Sequence, residues 1–167
     1  MRKEKRFCPL CGGNLEKIPL DGRIRLFCKE CKNPVYENPV PATAAVVLNG
    51  EDHLLLVKRG MEPAKGAWCL PGGFVELDET PSHGAKRELQ EETGLVGEVE
   101  RLIDVVYEDS PFHGPLIIIG YHIIPCGGVL QAGDDAADAQ YFSFTALPEV
   151  AFNSHQTIIN KIARRNT

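Results

Sequence analysis

The sequence predicts an α/β domain with a mixed sheet, preceded by a small four-cysteine zinc ribbon. Three observations lead there. Four of the six cysteines fall as Cys8-x2-Cys11-x16-Cys28-x2-Cys31. Behind them, strand-like runs alternate with two helical stretches over about 125 residues, the pattern of an α/β domain. A composition of 43% apolar and 25% charged residues is that of a chain able to bury a core. The expected organisation is a ribbon at 1–36, a linker at 37–41 and the α/β domain at 42–167. The 167 residues suffice for one domain and a small appendage.

Whole-chain properties exclude several classes. A formal charge of −5 disfavours a protein that wraps nucleic acid by bulk electrostatics. Apolar runs such as 116–119 are far too short to span a membrane. The run Met1-Arg2-Lys3-Glu4-Lys5-Arg6 is basic, but Cys8-Pro9 follows it instead of an apolar stretch. The expectation is a cytoplasmic chain without a secretory signal, its thiols kept reduced.

The cysteine spacing fits a four-thiolate zinc site, because a two-residue gap lets both sulfurs of a knuckle reach one tetrahedral ion. Disulfides or a redox pair are the alternative, which a reducing compartment disfavours. A filled Cys8, Cys11, Cys28, Cys31 site has no open position, so its zinc is expected to be structural. Gly12 and Gly13 follow Cys11, where a tight knuckle calls for positive φ. Residues 14–18 and 23–27 read as a hairpin closed by Asp21-Gly22. Arg23, Arg25, Lys29 and Lys32 are a modest basic set, too weak to predict nucleic-acid binding. Cys69 and Cys126 are expected to pack as small apolar residues.

The proline-rich stretch 33–41 reads as extended. Strands are expected at 42–48 and 53–57, joined at Asn49-Gly50, and then a loop rich in Gly and Pro. A helix is bracketed at 81–93: Thr80 can cap it, Pro81 suits its first position and Gly94 its end. Strands follow at 99–107, 116–124 and 140–144, and a last helix at 154–164.

The helix at 81–93 carries Glu88, Glu91 and Glu92 at i, i+3 and i+4, on one face. Carboxylates that close raise each other's pKa unless a cation neutralises them. Oxygen-only ligands select a hard ion, Mg²⁺ or Mn²⁺. Arg87 can reach Glu91 or brace Glu88. A solvated acidic face is the alternative. Upstream, Trp68-Cys69-Leu70-Pro71-Gly72-Gly73 favours the metal reading, because paired glycines let backbone oxygens approach a ligand.

Gly73-x5-Glu79-x7-Arg87-Glu88-Leu89-x-Glu91-Glu92-x-Gly94-Leu95 resembles the complete Nudix box. The four-cysteine segment ahead of it resembles the zinc-ribbon branch of Nudix hydrolases, which includes NADH and FAD pyrophosphatases. The resemblance implies a Nudix α/β/α sandwich that hydrolyses the pyrophosphate bond of a nucleoside diphosphate linked to another group. It implies Glu91 and Glu92 as principal Mg²⁺/Mn²⁺ ligands and Glu88 as ligand or general base. Arg87 would orient Glu88, Gly73 would offer its carbonyl to the metal, and Glu79 would assist behind or on a second ion. Asp134, Asp135, Asp138, Glu108 and Asp109 are further candidates for the base.

Substrate contacts are expected from Gly72, Arg59, Pro111 and Phe112. Pro111 lies at the proline spacing of ADP-ribose pyrophosphatases, whereas the Trp-containing marker of NADH pyrophosphatases is absent. Tyr107, Phe112, Phe142 and Phe152 could stack on a base. Asn153-Ser154-His155-Gln156 is polar and opens a helix, so its amides could meet a phosphate; capping by Asn153 or Ser154 is the alternative. The expected substrate is ADP-ribose or a related ADP-containing metabolite. The alternatives are NADH/FAD pyrophosphatase, NAD-capped RNA hydrolase, or a non-catalytic nucleotide-sensing module. The resemblance also implies a homodimer.

Overall fold

A computed structural model describes residues 4–164; residues 1–3 and 165–167, which carry the start of the basic run and the outer bounds of the expected domains, lie outside the described residues. The N-terminal sheet follows from its turn. β1 (Leu15–Leu20) and β2 (Arg23–Cys28) pair antiparallel, with Leu20 opposite Arg23. That register leaves Asp21 and Gly22 as a two-residue loop with φ of +50° and +73°, the left-handed pair that a tight hairpin demands. β3 (Asn33–Val35) adds to the free side of β2. It lies inside the proline-rich stretch, and Pro34 can sit there because β3 is an edge strand.

Next come β4 (Val40–Val46), β5 (Leu54–Arg59), β6 (Trp68–Cys69) and α1 (Pro81–Thr93). The long strands β7 (Leu95–Ser110) and β8 (Gly114–Gly128), then β9 (Ala136–Phe142) and α2 (Asn153–Ala163), complete the fold. β4 runs parallel to β8, and β8 antiparallel to β7; β5 lies between β6 and β9, antiparallel to both. The sheets meet where the amide of Leu55 donates to Val47 O at 2.9 Å. This is the expected mixed sheet.

The core sits on both faces of it. Ala45, Val47 and Leu55 meet Ala85 and Leu89 of α1, with Leu95 and Ile123 beside them. Ala44, Val46, Leu54 and Leu56 meet Ile158, Ile159 and Ile162 of α2. Adjacent residues of β4 and β5 thus feed opposite layers, which is why 44–48 and 54–57 read as continuous apolar runs. Each isoleucine of α2 contributes about 1.5–3 kcal/mol by burial. The result is an α/β/α sandwich. No helix among the described residues is long and apolar enough to cross a membrane.

Four expectations change. The turn after β4 is not a two-residue Asn49-Gly50 loop. Asn49 Oδ1 accepts from the amides of Glu51 (3.0 Å) and His53 (2.9 Å), and the positive φ falls on Asp52 at +58°. β7 and β8 run past the expected 99–107 and 116–124, because they satisfy each other from Leu95–Gly128 to Ser110–Gly114. β9 lies earlier than 140–144; pairing with β5 recruits Ala136 and Ala139, weak strand formers on their own. Cys126 is exposed rather than packed, since it lies where β8 outruns the sandwich, whereas Cys69 is buried.

Candidate active site

Helix α1 is placed by its caps. Thr80 Oγ1 accepts from the His83 amide, Pro81 opens the first turn, and Gly94 ends the helix at φ +70°. The loop after β6 runs alongside β4 and beneath α1. Pro71 O accepts from the Ala45 amide at 2.7 Å, and Gly73 O from the Thr43 amide at 2.8 Å. The carbonyl expected to face a metal therefore already holds one backbone partner.

Arg87 organises the acidic face. Its Nη1 donates to Glu88 Oε1 and Glu91 Oε2, both at 2.8 Å. Its Nε and Nη2 donate to Glu79 at 3.2 and 2.8 Å, and Nη2 also reaches Phe74 O at 3.1 Å. Arg87 thus does both things expected of it. Its guanidinium holds the Glu79 carboxyl below the usual carboxylate range. The Glu88 carboxylate presses on the Cα of Gly73: a Cβ there would meet Glu88 Oε1 at 2.4 Å. Burial pushes the Glu88 carboxyl up, against the pull of Arg87.

Among the described residues Glu92 has no guanidinium bond. Its Oε2 accepts the Gly72 amide, at 2.9 Å, and burial with the nearby Glu88 charge pushes it up to about 8. Gly72, at φ +156°, lies so close to β4 that a Cβ would sit 2.1 Å from Thr43 O. The Gly-Gly pair is thus required by two packings, one against backbone and one against Glu88.

These groups line a cleft of about 380 Å³. Eight carboxylates face it: Glu62, Glu76, Glu88, Glu91, Glu92, Glu108, Asp134 and Asp135. Among the described residues only two guanidiniums, of Arg59 and Arg87, oppose them. Of the remaining candidates for the base, Asp138 is turned to its own strand, accepting from the Ala139 amide and Gln140 Nε2, and Asp109 is not on the cleft. Glu108 accepts from the Ser154 amide at 3.2 Å and from the Ser154 hydroxyl. It therefore holds the start of α2, whose cap residue is Phe152, not Asn153 or Ser154.

Arg59 lies over the Phe152 ring at 5.2 Å and donates to Pro63 O at 2.6 Å. Pro111 and Phe112 stand exposed at the tip of the β7–β8 hairpin, while their neighbours Ser110 and His113 face the cleft. Phe142 packs edge-on against Trp68, Tyr107 is exposed, and Phe152 alone of the four candidate aromatics lines the cleft. His155, Leu116 and Ile118 also line it. Nothing in the sequence distinguished Leu116 and Ile118 from core residues, and His155 was read only as part of the polar segment that opens a helix.

The four N-terminal sulfurs lie within 4.8 Å of one another, with Cys8–Cys31 at 3.9 Å and Cys11–Cys28 at 3.5 Å. Sulfurs on a tetrahedral zinc would be about 3.8 Å apart. The amides of Gly13 and Cys31 donate to Cys11 and Cys28 sulfur, both at 3.4 Å. Gly12 has the expected positive φ, +75°. The cluster fits a small zinc site.

A mixed-sheet sandwich that gathers helix glutamates under a Gly-Gly loop defines a class of hydrolase. The chain matches the NUDIX domain over residues 38–162, and it belongs to the Nudix hydrolase family. It is 39% identical over 134 residues to the ADP-ribose pyrophosphatase of Methanocaldococcus jannaschii, covering 80% of this chain and 78% of that protein. It is 28% identical over 147 residues to the NAD-capped RNA hydrolase NudC of Pseudomonas fluorescens, covering 87% of this chain and 51% of that one. The chain thus spans about half the length of that relative. A NUDIX hydrolase structure from Nitrosomonas europaea superposes with a TM-score of 0.81 at 26% identity, covering 97% and 93% of the two chains.

Proposed function

We propose that the protein hydrolyses the pyrophosphate bond of ADP-ribose or a closely related ADP-containing metabolite, with Mg²⁺ or Mn²⁺. One observation carries the reading: eight carboxylates and two guanidiniums cannot receive an anionic diphosphate unless cations enter with it. The name of the Methanocaldococcus jannaschii relative favours ADP-ribose as the linked metabolite. The NudC relatives keep NAD compounds, free or on RNA, as the second reading. A purely sensing module would have no use for three clustered glutamates.

Glu91 and Glu92 would be the principal ligands of the ion and Glu88 a further ligand or the general base, with Glu79 behind Arg87 and the free lone pair of Gly73 O beside them. A divalent ion there supplies charge neutralisation of the phosphate oxygens and lowers the pKa of an attacking water. The chain's own residues do the rest. As the general base, Glu88 would take the proton from water as the water oxygen bonds to phosphorus and the bridging P–O bond breaks. Arg87 keeps Glu88 aimed. Arg59 and the Gly72 region contact the substrate phosphates. The domain organisation in this reading is a zinc ribbon at 1–36, a linker at 37–41 and the Nudix domain at 42–167. A homodimer belongs to it as well, with a single-chain mass by light scattering as the contrary result.

The experiment is a product-resolved panel of ADP-ribose, NADH, FAD, NAD-capped RNA and nucleoside triphosphates with each ion. AMP plus ribose 5-phosphate from ADP-ribose is the expected result. Preferred cleavage of NADH or capped RNA selects the second reading, and cleavage of none with either ion defeats both.

A further inference from the structure

Two side chains clamp the loop after β6 at amides two residues apart. Glu92 accepts the Gly72 amide. His155 accepts the Leu70 amide at Nδ1, 3.1 Å away. This second bond fixes a tautomer. A backbone amide can only donate, so Nδ1 is bare and the proton of the neutral ring sits on Nε2. Burial, with the positive charge of Arg59, keeps the ring neutral by lowering its pKa to about 4. At neutral pH Nε2–H is therefore a permanent donor. It has no hydrogen-bond partner among the described residues, yet the ring lines the cleft and the residue is only 7% exposed. His155 Nε2 is not among the fully buried unpaired atoms, so on a residue that lines the cleft this unpartnered donor keeps an open side and can meet an acceptor on a ligand.

The surroundings say which acceptor. Ala42, Leu116 and Ile118 give this cleft an apolar patch, and the Phe152 ring lies 5.2 Å from the His155 ring. Arg59 lines the same cleft and lies over the Phe152 ring at 5.2 Å. A phosphate would seek Arg59 and the cations at the glutamates. An apolar patch with a single neutral donor suits a flat heteroaromatic ring that carries an unprotonated ring nitrogen.

We infer that His155 reads the nucleobase of the substrate, donating Nε2–H to a ring nitrogen of a base that lies against Leu116 and Ile118. The orientation, with the diphosphate toward Glu92, rests on the proposed pyrophosphohydrolase function; the base pocket itself does not.

The probes are AMP, its 1-, 3- and 7-deaza analogues and ribose 5-phosphate, titrated calorimetrically into the full chain with Mg²⁺. His155→Phe weakens AMP about tenfold and leaves ribose 5-phosphate unchanged. His155→Gln, whose amide can accept from Leu70 and still donate, restores AMP binding to within about twofold. One deaza analogue binds the unaltered protein as weakly as AMP binds His155→Phe, and that analogue is indifferent to the substitution. The deaza series needs no variant, so a folding defect in His155→Phe does not remove the test. Equal losses for AMP and ribose 5-phosphate would assign the donor to the sugar or phosphate and overturn the inference. So would undetectable AMP binding, or deaza analogues that all bind like AMP. A protein that shows the predicted base pattern but cleaves no diphosphate overturns the proposed function and leaves this inference standing.

Discussion

Adjacent glycines at 72 and 73 separate structure from chemistry at the scale of single residues. A methyl at Gly73 meets the far end of Glu88, a flexible side chain that can move aside. Gly73→Ala should therefore lower kcat at least tenfold while the thermal midpoint changes by no more than a few degrees. A methyl at Gly72 meets the rigid Thr43 carbonyl. Gly72→Ala should instead destabilise by roughly 3 kcal/mol or more, measured by urea unfolding. Glu91→Gln combined with Glu92→Gln should abolish Mg²⁺-dependent turnover with the circular dichroism spectrum intact; retained turnover would defeat the metal assignment. His155 adds a pH dependence. Its pKa falls from 6.5 to about 4 on folding, so between those values the unfolded chain binds a proton that the folded chain does not. The contribution is whole above pH 6.5 and is lost as pH falls toward 4, by roughly 3 kcal/mol. Unfolding free energies of His155→Gln should be flatter than those of the unaltered chain across that window.

At the scale of elements, helix α1 was legible in the sequence almost to the residue, because Thr80, Pro81 and Gly94 act on their own neighbours. The same holds for the Asp21-Gly22 hairpin. Helix α2 was legible as a helix but not in its start. The carboxylate that holds its first turn, Glu108, lies 46 residues before Ser154 and belongs to β7. No local pattern announces such a partner. Glu108→Ala should cost about 1–2 kcal/mol in urea unfolding, the scale of a lost helix cap. Glu88, Glu91 and Glu92 were legible as a cluster because α-helical spacing brings them together. The far end of the cleft was not, because Leu116, Ile118 and His155 meet only through the pairing of β4 with β8 and the packing of α2.

At the scale of the molecule, two clusters of opposite hardness stand apart in the chain. Sulfurs gather at the N-terminal sheet and carboxylates on α1. About one zinc per chain should survive gel filtration, and Cys28→Ser should release it. Loss of that zinc should leave the Nudix sandwich folded, because its two apolar layers draw no residue from β1, β2 or β3. The cleft is different: with its excess of carboxylates, binding of an anionic diphosphate should require a divalent cation, as titration with and without chelator would show.

The most direct measurement is therefore anomalous diffraction from crystals soaked with Mn²⁺ and AMP. The account predicts an anomalous peak among the carboxylates of Glu88, Glu91 and Glu92. Those three side chains still gathered about Arg87 and the Gly72 amide, with no peak between them, would contradict it.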